Sequence, residues 1–263
     1  MKKALLVISF GTSYPDTCEK NIVACEQRLA AAFPDRTLFR AFTSEMIIRK
    51  LAKRDGLHIC NPQQALAELA AAGSQDVLIQ SLHVINGDEF EKIVTQVDAF
   101  RARFLKIGIG LPLLSSHDDF EQLIDAMQAQ APRLASDERV VFMGHGATHH
   151  AFAAYACLDH MLMTRNLPLL VGAVESYPEI DTVVARLKRD GVRKVHLMPL
   201  MLVAGDHAIN DMASEEEDSW KTQLANAGIT AVPWLQGLGE NPLVQQMFVE
   251  HLQAVLQQQE EAA

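Results

Sequence analysis

The chain has 263 residues, 49% of them hydrophobic, which is enough for one large or two modest cores with the polar–apolar balance of a globular protein. A formal net charge of −10 excludes the basic footprint of a nucleic-acid binder, and the one local basic cluster, Arg49-Lys50 with Lys53-Arg54, reads as the solvated end of a helix. The longest apolar runs are strand-length, too short to span a membrane, and Cys18, Cys25, Cys60 and Cys157 form no CxxC pair, which fits reduced thiols in a cytoplasmic protein.

Taken in order, Ala4 to Ser9 reads as a strand rather than a leader, because its short apolar segment flows directly into a Gly11-Thr12-Ser13 turn. Pro15 opens a helix to about Ala32, Thr37 to Phe42 is a second strand, and Ser44 caps a helix carrying Met46, Ile47, Ile48 and Leu51. Pro62 begins a helix that ends at Gly73. Val77 to Leu82 is the third strand, Asp88 to about Phe104 a helix, Leu105 to Leu113 the fourth strand, and His117 to Gln130 a helix. A polar connector between Ala131 and Glu138 then divides the chain into lobes 1–130 and 138–263.

After the connector the pattern restarts. Arg139 to Met143 is a strand, Gly144-His145-Gly146 turns, a helix covers His149 to Met163, and Leu169 to Val174 is a strand ending at Glu175. Pro178 begins a helix that stops near Gly191. Val195 to Val203 reads as a strand buried on both faces, with a turn at Ala204-Gly205, Asp206 as a cap and His207 at the strand's carboxyl end, where ligands bind in open α/β sheets. A helix through Trp220 to Asn226, a strand from Thr230 to Leu235 and a helix from Pro242 complete the set. These βαβα runs predict an α/β protein of two similar lobes, each a parallel sheet flanked by helices, with a cleft between them.

The halves are also similar in sequence. VLIQSLHVINGDE from Val77 lies without a gap on VHLMPLMLVAGDH from Val195, 118 positions further on, so Glu89 falls on His207. VISFGT from Val7 lies on FMGHGA from Phe142, 135 positions on, with Phe10 opposite His145, and AFTS from Ala41 lies on AVES from Ala173, 132 positions on, with Thr43 opposite Glu175. Strand ends of the second half thus present His145, Glu175 and His207, and those of the first present Phe10, Thr43 and Glu89. Two imidazoles and a carboxylate with open coordination positions suit a divalent first-row metal such as Co²⁺, Ni²⁺, Fe²⁺ or Zn²⁺, and the absence of thiolates argues for a site that can release its ion.

The other histidines read as structural: His58, His117, His160 and His251 on the surface, His149 and His150 capping or decorating the helix after His145, and His83 and His196 as hydrogen-bonded core groups on strands. There is no P-loop, no G-x-G-x-x-G after a strand and no G-x-S-x-G elbow, so the chain lacks a phosphate cradle and a serine nucleophile.

Through KKALLVISFGTSYPDTCEKNIVACE at its start, and through SLHVINGDE, VVFMGHGATHHAFAAYACLDHM, VGAVESYPE and HLMPLMLVAGDHAINDMA, the chain resembles the anaerobic sirohydrochlorin cobaltochelatases of cobalamin synthesis over essentially its whole length. These are class II chelatases related in fold to ferrochelatase. The resemblance implies a lyase that inserts Co²⁺ into sirohydrochlorin without nucleotide hydrolysis. It implies His145, Glu175 and His207 as metal ligands, His145 also as proton acceptor, His207 as catalytic, and Glu89 as an acid facing the macrocycle. Phe10, Met46, Leu202 and Val203, with Ala204, are the expected apolar walls, and the Gly11-Thr12-Ser13 turn the expected backbone partner of substrate carboxylates. The expected partners are the tetrapyrrole and the divalent metal, with no permanently bound cofactor, no nucleic acid and no membrane, and with a homo-oligomer left open. Fe²⁺ insertion giving siroheme, and a non-catalytic metal or tetrapyrrole carrier, stand as alternatives, since this ligand set does not separate neighbouring metals.

Overall fold

The computed structural model describes residues 1–261. The chain divides into two compact units, Met1–Asp119 joined by the chain from Pro242, and Phe120–Asn241. The first unit holds strands β1 (Lys3–Ser9), β2 (Thr37–Phe42), β3 (Asp76–Ser81) and β4 (Lys106–Gly110), all parallel, in the order β2-β1-β3-β4. The second holds β5 (Glu138–Gly144), β6 (Leu169–Ala173), β7 (Lys194–Pro199) and β8 (Thr230–Pro233), again parallel, in the order β6-β5-β7-β8. Adding four to each label turns one order into the other, so the sequence repeat is a repeat of topology.

The inner strands β1, β3, β5 and β7 are almost wholly buried, as a parallel sheet covered on both faces requires, and this is why they read as mostly apolar runs. In β1, Leu5, Leu6 and Ile8 are fully buried, each contributing about 1.5–3 kcal/mol of transfer free energy. The first crossover begins with α1 (Pro15–Thr17), runs through a π-helical segment, Cys18–Val23, and continues as α2 (Ala24–Ala32). Next come α3 (Glu45–Asp55), capped as expected by Ser44 Oγ accepting from Ile47 N, and α4 (Pro62–Ala71), whose Asn61 and Gln64 form a reciprocal capping box. The remaining helices are α5 (Asp88–Phe100), α6 (His117–Gln130), α7 (Ala153–Thr164), α8 (Ile180–Arg189), α9 (Trp220–Asn226) and α10 (Pro242–Glu261). Among the described residues no helix is long and apolar enough to cross a membrane.

Several boundaries differ from the sequence reading: the units divide between Asp119 and Phe120 and not in the connector between Ala131 and Glu138, β4 stops at Gly110 and not at Leu113, β8 stops at Pro233 and not at Leu235, and three differences bear on the site. The closing helix, α10, packs on α2 and β4 of the first unit rather than completing a lobe 138–263. Glycines make the room for it: a Cβ on Gly108 of β4 would stand 2.3 Å from Val255 Cγ1, and one on Gly110 would stand 3.2 Å from Leu252 Cδ2. Beside them His251, expected on the surface, bridges the Leu111 carbonyl (2.9 Å) and Asp119 Oδ1 (2.8 Å). Strand β7 ends at Pro199, which has no N–H to continue the ladder, so Leu200 to Val203 are irregular rather than strand. Pro178 does not begin a helix: its carbonyl accepts from Ala173 N (2.7 Å), and α8 starts at Ile180.

Candidate metal and tetrapyrrole site

At the end of β5 the chain runs through Gly144-His145-Gly146, and both glycines are dictated by their surroundings. A Cβ on Gly144 would stand 2.4 Å from Tyr155 Cε1, and Gly146 has φ +90° with the backbone N of Glu175 and of Ser176 each 2.9 Å from where its Cβ would be. Tyr155 is buried beneath this turn, and burial pushes its hydroxyl up to about 12, so it stays neutral. The chain after β6 follows the same path: Val174 N donates to the Gly144 carbonyl (3.0 Å) and Glu175 N to that of His145 (2.9 Å).

These bonds set Glu175 Oε2 at 3.6 Å from His145 Nδ1, which also faces the Gly146 carbonyl at 3.1 Å. A carbonyl can only accept, so Nδ1 carries the proton and Nε2 keeps a lone pair. His207 arrives from an irregular crossing and a helical turn that begins at Asp206, so Asp206 opens the turn instead of capping it. The rings of His207 and His145 meet edge to face, with centroids 4.4 Å apart at 85°. One turn further on, Asp211 Oδ2 lies 2.5 Å from His207 Nδ1, which likewise leaves Nε2 of His207 with its lone pair. Asp211 was absent from the sequence reading; its signal was a carboxylate four residues after the histidine in a helix-forming stretch.

His145, Glu175 and His207 are thus neighbours, with side chains between 37% and 50% exposed and reachable by a ligand. Among the described residues no three His, Cys, Asp or Glu side chains already form a metal cage: Glu175 leans on His145, and His207 on Asp211. His149 caps the turn after the loop through Nδ1, which accepts from Ala151 N (3.2 Å). His196 is the expected core histidine, its Nδ1 accepting from Trp234 Nε1 (3.0 Å) and its Nε2 facing Glu138 (3.2 Å).

The first unit repeats this rim with other side chains. Gly11 has φ +94°, the counterpart of Gly146, and Phe10, the counterpart of His145, is 47% exposed. Thr43 N donates to the Ser9 carbonyl and Ser44 N to that of Phe10, so it is Ser44, and not Thr43, that stands in register with Glu175. Met46, in the first turn of α3, is 69% exposed, whereas Thr12 and Ser13 are buried and the Thr12 hydroxyl accepts from Tyr14 N (3.3 Å). In the second unit Leu202 and Val203 are half-buried and Ala204 belongs to the core.

Glu89 lies in the first turn of α5, the place that corresponds to His207, with Oε1 2.7 Å from Lys92 Nζ. Burial works to raise its carboxyl, but the hydrogen bond from Lys92 and that group's charge outweigh it and hold the carboxyl below the usual carboxylate range. His83 lies just beyond β3, its Nδ1 2.9 Å from Ser81 Oγ. Burial lowers its imidazole to about 4, so it is neutral at physiological pH.

The architecture, two parallel α/β units, is the chelatase fold. SirB from Bacillus subtilis, solved with Fe³⁺, shares it at a TM-score of 0.65, over 99% of this chain and 98% of that one, with 14% identity. Residues 3–257 match the family described as cobalt chelatase (CbiK), and the chain belongs to that family. Sirohydrochlorin cobaltochelatase of Salmonella typhimurium is 66% identical over 264 aligned positions, covering 100% of both chains. Sirohydrochlorin cobaltochelatase CbiKC of Nitratidesulfovibrio vulgaris is 32% identical, covering 97% of this chain and 91% of that protein.

Proposed function

We propose that the protein is a sirohydrochlorin cobaltochelatase, which inserts Co²⁺ into sirohydrochlorin in cobalamin synthesis. The observation that carries this reading is the 66% identity with the Salmonella enzyme over the whole of both chains. The geometry of the second unit agrees with it: two imidazoles whose Nδ1 atoms are held by acceptors offer Nε2 lone pairs beside a carboxylate.

In the reaction two pyrrolic N–H bonds break, their electron pairs become Co–N bonds, and two protons leave; no oxidant, reductant or nucleotide takes part. His145, Glu175 and His207 hold the incoming ion while it exchanges water for ring nitrogens, and the open coordination positions let it go. His145 accepts a proton once the ion has moved to the ring, a role within reach of an imidazole near neutral pH. Glu89 is the proton-handling carboxylate of the first unit, with Phe10 and Met46 as apolar contacts for the macrocycle. The proposal places the enzyme in the cytoplasm, in keeping with four free cysteines.

The test is an anaerobic absorbance assay that follows loss of free-base sirohydrochlorin with Co²⁺ or Fe²⁺, for the wild type, His145→Ala and His207→Ala. Insertion of Co²⁺ faster than the protein-free control, abolished by either substitution, is the expected result. No acceleration with either metal would overturn the enzyme reading and leave a carrier, and insertion of Fe²⁺ alone would make it a siroheme enzyme.

A further inference from the structure

The basic cluster Arg49, Lys50, Lys53 and Arg54, expected as the solvated end of a helix, sits on an element that the repeat does not account for. Among the described residues α8 alone lies between β6 and β7 in the second unit, whereas in the first both α3 and α4 lie between β2 and β3. The offset between the halves falls from 132 to 118 over this stretch, so the first unit carries 14 extra residues there, enough to make α3. A crossover helix leads away from the carboxyl ends of its strands, but α3 comes back to them. Ser44 N, at its start, donates to the Phe10 carbonyl (3.2 Å), and beyond its end the chain rejoins β2, where Phe42 N donates to the Cys60 carbonyl (3.0 Å).

The last turn of α3 is tied to the same rim. Arg54 Nη2 donates to the Ser13 carbonyl (2.7 Å), in the turn that follows β1, and Lys50 Nζ stands 5.8 Å from the centre of the Tyr14 ring. Ile47 and Leu51 are the buried side of α3, while Met46, Lys50 and Arg54, four apart, share an exposed side that runs along the segment from Phe10 to Tyr14. Of the charges here, Arg54 is matched by Asp55 (2.6 Å), and Glu45 accepts from Asn61 Nδ2 (2.8 Å). Lys50 pairs with no carboxylate among the described residues. A protein of net charge −10 thus keeps an unmatched cation at the end of the sheet where Phe10 is exposed.

We propose that Lys50 binds a peripheral carboxylate of the macrocycle, while Phe10 and Met46 take its apolar face and Arg54 fixes the turn beside them. The substrate is an apolar ring edged with carboxylates, and the exposed side of α3 offers the matching succession, a thioether and then a cation one turn later. An ammonium on a flexible stem is a compact donor suited to a carboxylate on a flexible arm. The inference rests on the chelatase reading and names the basic group that its polyanionic substrate meets on an acidic protein.

The test is a fluorescence titration of the full chain with metal-free sirohydrochlorin, with KM and kcat for Co²⁺ insertion measured alongside, for the wild type, Lys50→Met, Lys50→Arg, Lys50→Glu and Lys188→Glu. Lys50→Met keeps the stem and removes the charge; it is expected to raise Kd and KM about three- to tenfold with kcat nearly unchanged. Lys50→Arg should stay close to the wild type, and Lys50→Glu should weaken binding more than Lys50→Met does. Lys188→Glu makes the same change in net charge in the last turn of α8, at the amino end of β7, and should leave both constants as they are. Added salt should weaken binding to the wild type more than binding to Lys50→Met. A Kd for Lys50→Met equal to that of the wild type, or an equal loss in Lys188→Glu, would make Lys50 the solvated end of a helix and overturn the proposal. A wild type that binds no sirohydrochlorin overturns the chelatase reading and this inference with it, whereas one that binds it and is unmoved by the Lys50 variants overturns this inference alone.

Discussion

Gly146→Ala offers the sharpest test of how the backbone builds this site. At φ +90° an L-residue pays a conformational cost of about 1–2 kcal/mol. The added Cβ also meets Ser176 Oγ at 2.8 Å and two backbone nitrogens, of Glu175 and Ser176, at 2.9 Å. The hydroxyl can rotate away but the nitrogens cannot, and such overpacking costs about 1–3 kcal/mol. The expected loss of stability is therefore about 2–5 kcal/mol, a large share of the ~5–15 kcal/mol that holds a protein folded. Gly191→Ala is the control: its φ is +67°, but nothing lies within 4 Å of the added atom, so it pays only the first part. Because Glu175 N is bonded to the His145 carbonyl, the overlap also pushes apart the two proposed ligands it separates, and Co²⁺ insertion should fall about 100-fold where the variant is still folded. Urea unfolding of both variants, with the insertion assay alongside, measures the two effects. Equal destabilisation by Gly146→Ala and Gly191→Ala would refute the contact argument.

Asp211→Asn keeps the shape beside His207 but removes the charge and presents an amide that can favour the wrong tautomer, so Co²⁺ affinity should weaken about 10–100-fold by titration calorimetry. An affinity within twofold of wild type would remove Asp211 from the site. The pair that ties α10 to the first unit gives a pH dependence. Burial lowers the His251 imidazole, but its bond to Asp119 outweighs this and the group is raised above 6.5; its contribution is fully present below 6.5 and lost as pH rises through the raised value. Burial raises the Asp119 carboxyl, but His251 and the Ser116 and Ser115 bonds outweigh it and hold the group below 3.8; its contribution is present above 3.8 and lost as pH falls through the lowered value. The stability difference between wild type and His251→Gln, from urea midpoints, should therefore be largest between about 4 and 6.5 and shrink on either side.

Much of this could be read from the chain because burial on both faces leaves a plain mark: β1, β3, β5 and β7 are apolar through most of their length, and Ser44, Pro15 and Pro62 punctuate the crossovers of the first unit. The same physics hid the end of β7, since Leu200 to Val203 are as apolar as a buried strand and only Pro199 hints that the ladder stops. The place of α10 was hidden because an apolar helix face does not name the sheet it covers; the clue, two glycines in β4, lies more than 130 residues earlier. His251 was misjudged for the same reason, its partners Leu111 and Asp119 being remote in sequence. At the rim, His145 announced itself between two glycines, whereas Asp211 looked like any acid on a solvated turn, because a helix spacing of four is shared by functional and ornamental pairs alike.

The repeat explains why the backbone is the more faithful record of the site. Gly11 and Gly146 keep positive φ at equivalent turns although their neighbours differ, Phe42 crowding one and the Glu175–Ser176 backbone the other. Hydrogen bonds after β2 and β6 likewise match, Thr43 N to Ser9 O beside Val174 N to Gly144 O. A rim held by main-chain bonds and glycine turns does not depend on which side chains it presents, so the side chains are free to diverge. Phe10 against His145, Ser44 against Glu175 and Glu89 against His207 are the result: one rim supplies imidazoles with free lone pairs, and the other an exposed aromatic ring and a carboxylate that stays ionised. Had the two rims stayed alike, each would offer a metal site or neither would, and the proposed division between holding an ion and handling a proton would be lost.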